Sequence, residues 1–206
     1  ALGARNLSIV ARKIGAKIVQ ISTDDVFDGN KNTPYSEFDD TNPKTVYGRS
    51  KRAGENYVRE FTHKHFVIRS SWIFGHGDNF VTRVLRKAGN GELIEAAIDE
   101  TGCPTSAKDL ARIILYLITT NEYGTYHATC KGLCSRYDFA REILSLAGLH
   151  AEVKEISIAD SKEHLVRPAY AVLDNFILRI IDVYEMPKWK QSLEEYIAEW
   201  KEETHE

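Results

Sequence analysis

No apolar run in the sequence approaches the ~18–20 residues that a membrane span requires. Cysteine is scarce: Cys103, Cys130 and Cys134 are too few, and odd in number, for a disulfide framework, so a reduced, cytoplasmic setting is expected. Neither sign of charge dominates. The 27 Lys and Arg against 30 Asp and Glu leave a net charge of −3 and no electrostatic footprint for nucleic acid. Internal repeats and low-complexity tracts are lacking, and so are an initiator methionine and the basic, apolar and small-residue pattern of a signal peptide. What is there is ordinary. The 206 residues, 43% hydrophobic and 28% charged, match soluble globular averages, which excludes disordered, collagen-like and coiled-coil chains. The length suits one large domain, or one and a half small ones.

Leu7, Val10, Ala11 and Ile14 recur at helical spacing, so a helix is expected over 1–14, ended by Gly15. A chain that opens inside an element is expected to continue a longer one upstream. Residues 16–22 read as a buried strand rich in β-branched side chains. A long polar loop follows to Thr45, punctuated by Asp28-Gly29, Pro34 and Asn42-Pro43; loops of that length in compact folds are functional or disordered. A helix over 46–63 and a second buried strand over 66–69 complete a strand–helix–strand unit, which calls for a parallel sheet. Ligands in such sheets sit beyond the carboxyl ends of the strands, here the Ser22-Thr23 and Ser70-Ser71-Trp72 stretches. Further helices are expected at 79–88, 107–119, 137–147 and 193–200, and strands at 93–98 and 153–158, forming a smaller α/β lobe packed on the sheet.

The strongest local signal is Tyr47-Gly-Arg-Ser-Lys51. Four-residue spacing places Tyr47 and Lys51 one turn apart on one helix face. A tyrosine of pKa ~10 is a poor acid–base group near neutrality; a nearby ammonium is expected to favour the phenolate and lower that pKa. Tyr-x-x-x-Lys alone occurs by chance on many helices. Preceded by Ser22-Thr23-Asp24 at a strand end, whose hydroxyl can bind the same substrate oxygen, it forms the short-chain dehydrogenase/reductase constellation.

Several blocks in order extend the likeness: Ile21-Ser-Thr-Asp-Asp-Val-Phe-Asp-Gly29, Pro34-Tyr35, Asn42-Pro43, Tyr47 through Glu55, Arg69-Ser-Ser-Trp-Ile-Phe-Gly75, Asn79-Phe80, Gly102-Cys-Pro-Thr-Ser-Ala107, Arg167-Pro168 and Leu173-Asp174-Asn175. Together they resemble the dTDP-4-dehydrorhamnose reductase family of extended short-chain reductases over nearly the whole chain. The resemblance implies a Rossmann-like, doubly wound parallel sheet, partial here because the N-terminal βαβ units are absent, with a smaller C-terminal α/β substrate lobe. It implies that 1–75 are the catalytic half of a NAD(P)-binding domain. Residues 76–206 would be mainly a substrate-binding lobe with some elements returning to the Rossmann core. The implied activity is reduction of the 4-keto group of dTDP-4-dehydro-L-rhamnose with NADPH or NADH. By the same resemblance, Tyr47 donates the proton, Lys51 holds the nicotinamide ribose, Thr23 assists and Ser22 borders the cofactor. Thr23, Asp24 and Trp72 match positions that contact the sugar nucleotide. Arg167 suits bidentate binding of a phosphate or sugar. Some family members carry Mg2+ at a homodimer, and no metal ligand set is identifiable in the sequence.

Two departures stand against this. The family's Gly-x-x-Gly-x-x-Gly turn, which cradles the cofactor pyrophosphate, does not occur in the sequence and is expected upstream of Ala1. Asp25 stands where the family has tyrosine, so Asp24-Asp25 resembles the acidic pair of sugar-nucleotide 4,6-dehydratases, a dehydratase or epimerase alternative. A third alternative is a non-catalytic regulatory subunit of the methionine adenosyltransferase type, which shares the fold and a similar block. Cys130-x3-Cys134 lacks a second ligand pair for zinc and reads as small buried thiols. Asp99-Glu100 reads as a solvated or capping pair.

Overall fold

The computed structural model describes residues 1–160, 168–181 and 185–205. Arg167 lies outside the described residues. The helix α1 (Leu2–Ile14) closes on Gly15 in the left-handed conformation, at φ 71°, the backbone geometry that favours glycine. Strand β1 (Ile18–Thr23) leads into a 3-10 turn, Asp24–Val26, and after the long loop comes α2 (Val46–Phe61). Strand β2 (His65–Ser70) runs parallel to β1, pairing Ile18 with His65 and Thr23 with Ser70.

The remaining strands are β3 (Ile73–Phe74), β4 (Ile94–Ala97), β5 (Thr101–Gly102), β6 (Thr105–Ser106), β7 (Gly124–His127), β8 (Cys134–Ser135), β9 (Val153–Ile156) and β10 (Tyr170–Ala171). The remaining helices are α3 (Phe80–Gly89), α4 (Ala107–Leu117), α5 (Arg136–Ala147), α6 (Phe176–Ile180) and α7 (Trp189–His205). β7 joins the far side of β2 in parallel, giving the order β1–β2–β7. β4 pairs with β9, β3 with β6, and β5 lies between β10 and β8.

Position in the sheet decides burial. Phe66, Val67 and Ile68 of the central strand β2 are fully buried. β1 was expected to be a buried strand, but among the described residues it lies at the sheet edge, and Ile18 to Ile21 are only half-buried. α1 shows the same: Ala11 is buried against the body while Leu7, Val10 and Ile14 are exposed. β7 has no counterpart among the sequence-based expectations. Its four residues, Gly-Thr-Tyr-His, carry no apolar alternation, and pairing with β2 alone makes them a strand.

Phe139 of α5 is fully buried among aromatic rings of the main core. Its ring stacks with Phe80 at 5.5 Å and meets Trp189 edge-on at 5.6 Å. A second apolar cluster, Val26, Phe27, Tyr35 and Leu173, anchors the long loop. The Phe27 and Tyr35 rings stack at 4.3 Å, and each large side chain withdrawn from water contributes roughly 1.5–3 kcal/mol. Asp28 then accepts hydrogen bonds from Tyr35 Oη and Asn42 Nδ2. The loop is therefore an ordered wall at the carboxyl end of β1.

Candidate active site

Thr23 is the last residue of β1 and caps the 3-10 turn: its Oγ1 accepts from Asp25 N at 3.2 Å and donates to Asp24 Oδ1 at 2.8 Å. Asp24 Oδ2 accepts from Ser71 Oγ at 2.6 Å. Thr45 caps α2 by accepting from Gly48 N at 2.8 Å, and it donates to Asp25 Oδ2 at 2.6 Å. One threonine thus starts the helix and pins it to the turn. The contact is close enough that a Cβ on Gly48 would lie 2.1 Å from the Asp25 carbonyl oxygen, so glycine is required there. Tyr47, in the first turn of α2, is held beside Thr23, Asp24 and Asp25 as a result.

These residues form one side of a cavity of about 300 Å³. Trp72, Glu100, Arg136, Pro168 and Ala171 form the other. Trp72 adopts φ 44°, a conformation uncommon for a bulky residue and found preferentially at functional sites. Its indole presses on Gly102, where a Cβ would come within 2.4 Å of it. On the ring's face lies the Arg136 guanidinium, 3.5 Å from the centroid, with Nε donating to Glu100 Oε1 at 3.1 Å. Planar stacking of this kind is specific to arginine.

The electrostatics follow from these partners. Burial pushes the Asp24 carboxyl up to about 6; hydrogen bonds from Ser71 and Thr23 oppose the rise, the Asp25 charge adds to it and Arg136 opposes it. Burial also raises the Tyr47 phenol, Thr23 opposes that, and the charges of Asp24 and Asp25 add to it. The expectation that Lys51 lowers the Tyr47 pKa is therefore corrected: the net direction is upward. The Lys51 ammonium donates instead to the Ile21 carbonyl at 2.5 Å, and burial lowers its own pKa while Glu55 raises it.

Thr23, Asp24, Trp72 and Tyr47 are brought to one cavity. Lys51 reaches β1 from one turn further along α2. Ser22 does not line this cavity: its hydroxyl is buried and donates to Glu55 Oε1 at 2.6 Å. Glu55 also accepts from Arg69 Nε at 2.9 Å and Nη2 at 2.8 Å, a structural ion cluster beneath the site. Asp99 caps the chain at Ile158 N and Ser157 Oγ, as a capping residue should. Glu100, read with it as solvated or capping, is buried and paired with Arg136 in the cavity wall.

Arg136 was missed altogether. Its only local signal is a cation in the first turn of a helix, against the helix dipole by ~0.3–1 kcal/mol. The three cysteines are free and buried, as expected of small packing thiols. Among the described residues no three His, Cys, Asp or Glu side chains converge as a metal site, and no helix is long and apolar enough to cross a membrane. The donor set fits the nicotinamide-ribose end of a dinucleotide: Lys51 has two N–H donors beyond the one given to Ile21, beside a phenol and a hydroxyl at a strand's carboxyl end.

The family model described as the RmlD substrate binding domain matches residues 1–202. The chain is 37% identical over 200 residues to the spore coat polysaccharide biosynthesis protein SpsK of Bacillus subtilis, covering 96% of this chain and 70% of that one. It is 34% identical to a dTDP-4-dehydrorhamnose reductase of Sinorhizobium fredii, covering 92% and 68%. The fold superposes on the crystal structure of dTDP-4-dehydrorhamnose reductase from Bacillus anthracis in complex with NADP, with TM-score 0.94, 38% identity, and 97% and 71% of the chains covered. A dTDP-glucose 4,6-dehydratase from the same organism, at TM-score 0.84 and 15% identity, shares the fold alone. The parallel α/β architecture expected from the sequence is thus that of known reductases, and the chain belongs to the family of the RmlD substrate binding domain.

Proposed function

We propose that this protein reduces the 4-keto group of dTDP-4-dehydro-L-rhamnose, giving dTDP-L-rhamnose, with NADPH or NADH. The observation that carries the reading is the convergence of Tyr47 and Thr23 on one cavity walled by Trp72 and the Arg136–Glu100 pair. When bound, the nicotinamide supplies the hydride that C4 receives. Tyr47 gives its phenolic proton to O4 as charge develops there, and a raised pKa keeps that proton in place until it is needed. Thr23 stands beside Tyr47 to hold the same oxygen. Lys51 grips the nicotinamide ribose with the donors that Ile21 leaves over. Trp72 offers an apolar floor for the sugar, and Glu100 and Arg136 supply an acceptor and donors for its hydroxyl groups. The proposal includes a cytoplasmic setting and the division into 1–75 and 76–206 described above.

Relatives named as reductases are 34% and 35% identical to this chain over the aligned residues, whereas the dehydratase is 15% identical, which favours reduction over elimination or epimerisation. Turnover decides between an enzyme and a regulatory subunit. Incubation with NADPH and the keto sugar should yield a product heavier by two hydrogen atoms. Tyr47→Phe should lower kcat by ~10²–10⁴ with cofactor affinity little changed. Undiminished turnover in Tyr47→Phe would remove Tyr47 from the chemistry. Loss of water from dTDP-glucose instead would overturn the proposal.

A further inference from the structure

A threonine hydroxyl has one hydrogen to donate. In this structure Thr23 Oγ1 directs it to Asp24 Oδ1 at 2.8 Å, while Ser71 Oγ donates to Asp24 Oδ2 at 2.6 Å. An ionised carboxylate only accepts. With Asp24 charged, the Thr23 hydrogen is therefore committed to it, and Thr23 has none left for an oxygen in the cavity. With Asp24 protonated, its O–H can donate to Thr23 Oγ1 in place of the reverse bond. The threonine hydrogen then turns outward, Ser71 keeps its bond to Oδ2, and Oγ1 still accepts from Asp25 N.

We infer that Asp24 is the positioning residue of this site: its protonation state decides whether Thr23 donates a hydrogen bond to the reacting substrate oxygen. The inference rests on the proposed reading that Thr23 and Tyr47 hold that oxygen.

The surroundings make both states accessible near neutrality. Asp24 faces Asp25 on its own turn, Tyr47 from α2, Ser71 beyond β2, Cys103 between β5 and β6, and Arg136 from α5, itself paired with Glu100. Burial and Asp25 favour the neutral acid, while Ser71, Thr23 and Arg136 favour the anion, and the balance falls at about 6. Negative charge growing on a substrate oxygen beside Thr23 disfavours a second anion at Asp24. The neutral acid is then the form matched to the transition state, with one more hydrogen bond to give it.

The test is the pH profile of keto-sugar reduction in wild type, Asp24→Asn, Ser71→Ala and Thr23→Val. Wild-type kcat should fall as pH rises through about 6. In Asp24→Asn the amide N–H donates to Thr23 at every pH, so that fall should vanish. Ser71→Ala removes a bond that favours the anion, so the midpoint should move up by about one pH unit. Independently of activity, the infrared difference between wild type and Asp24→Asn should show a protonated carboxyl titrating with the wild-type midpoint. A wild type with no fall in this range, or the same fall in Asp24→Asn while Thr23→Val is impaired, overturns the inference and leaves the site reading intact. Thr23→Val with wild-type turnover overturns the reading on which it rests.

Discussion

Glu55 and Asp24 are both withdrawn from water beside the carboxyl half of β1, and their neighbours drive them in opposite directions. Burial works to raise the Glu55 pKa, but hydrogen bonds and charge from Arg69, together with Ser22 and Arg59, outweigh it, and the net shift is downward. Asp24 has hydroxyl donors and another carboxylate close by and one more distant arginine, and it rises to about 6. Burial alone does not tell a structural carboxylate from a titrating one. The partner list does: guanidinium groups in direct contact fix a charge, whereas hydroxyls that can both give and accept leave the proton free to move.

The comparison breaks most directly at Glu55. Glu55→Gln leaves Arg69 buried without its counter-charge and should destabilise the protein by about 3–5 kcal/mol, read by chemical denaturation at neutral pH. A loss under 1 kcal/mol would mean that the cluster is not held by charge. Asp24→Asn should do the reverse above neutrality. The folded-state pKa of Asp24 lies above its unfolded value of 3.8, so its contribution to stability is fully present below that value and is lost as pH rises through about 6. The loss is of order 3 kcal/mol, and stability curves of wild type and Asp24→Asn should diverge across that window. Glu55, with a lowered pKa, gives stability that is present above its unfolded pKa and lost on acidification. Parallel curves for wild type and Asp24→Asn from pH 4 to 7 would refute the contrast.

Gly48→Ala sharpens the geometry that places Tyr47 beside Asp24. The added methyl must displace the Asp25 carbonyl, at a cost of about 1–3 kcal/mol, and kcat should fall with it as Tyr47 shifts. A fully active Gly48→Ala protein would show that the start of α2 can move without consequence. The smallest effect belongs to Asp25→Asn. Asp25 Oδ2 takes the Thr45 hydroxyl, while Oδ1 is buried without a hydrogen-bond partner among the described residues. An amide oxygen can keep the Thr45 bond, so stability should change by no more than about 1 kcal/mol and reduction should persist. Abolished reduction in this variant would put Asp25 in the chemistry and revive the acidic-pair alternative.

Much of the frame was legible in the chain itself. Gly15 ends α1 as its sequence position implied, in the left-handed conformation. Tyr47 and Lys51 were placed on α2 by spacing, and Thr23 at a strand end by the apolar run before it. These are local properties: helix period, turn chemistry and capping act over a few residues and leave their mark in short windows. The parallel pairing of β1 and β2 followed from the helix between them.

What the windows could not contain was contact across the fold. Ser22 was placed beside the cofactor by resemblance, and no short window shows that alternation along β1 turns its hydroxyl to Glu55, 33 residues away. Arg136 stands 64 positions from Trp72 and 36 from Glu100, and no pattern around it announces that all three share a wall. The sign of the Tyr47 shift was misread for the same reason, because two carboxylates and burial weigh on the phenol while Lys51 is held by Ile21. Sequence determined the elements, the order of the site's blocks and the residue types able to move a proton. Tertiary structure alone decided which of those residues share a cavity and which way each titrates, because desolvation and Coulomb forces depend on distance in space rather than along the chain.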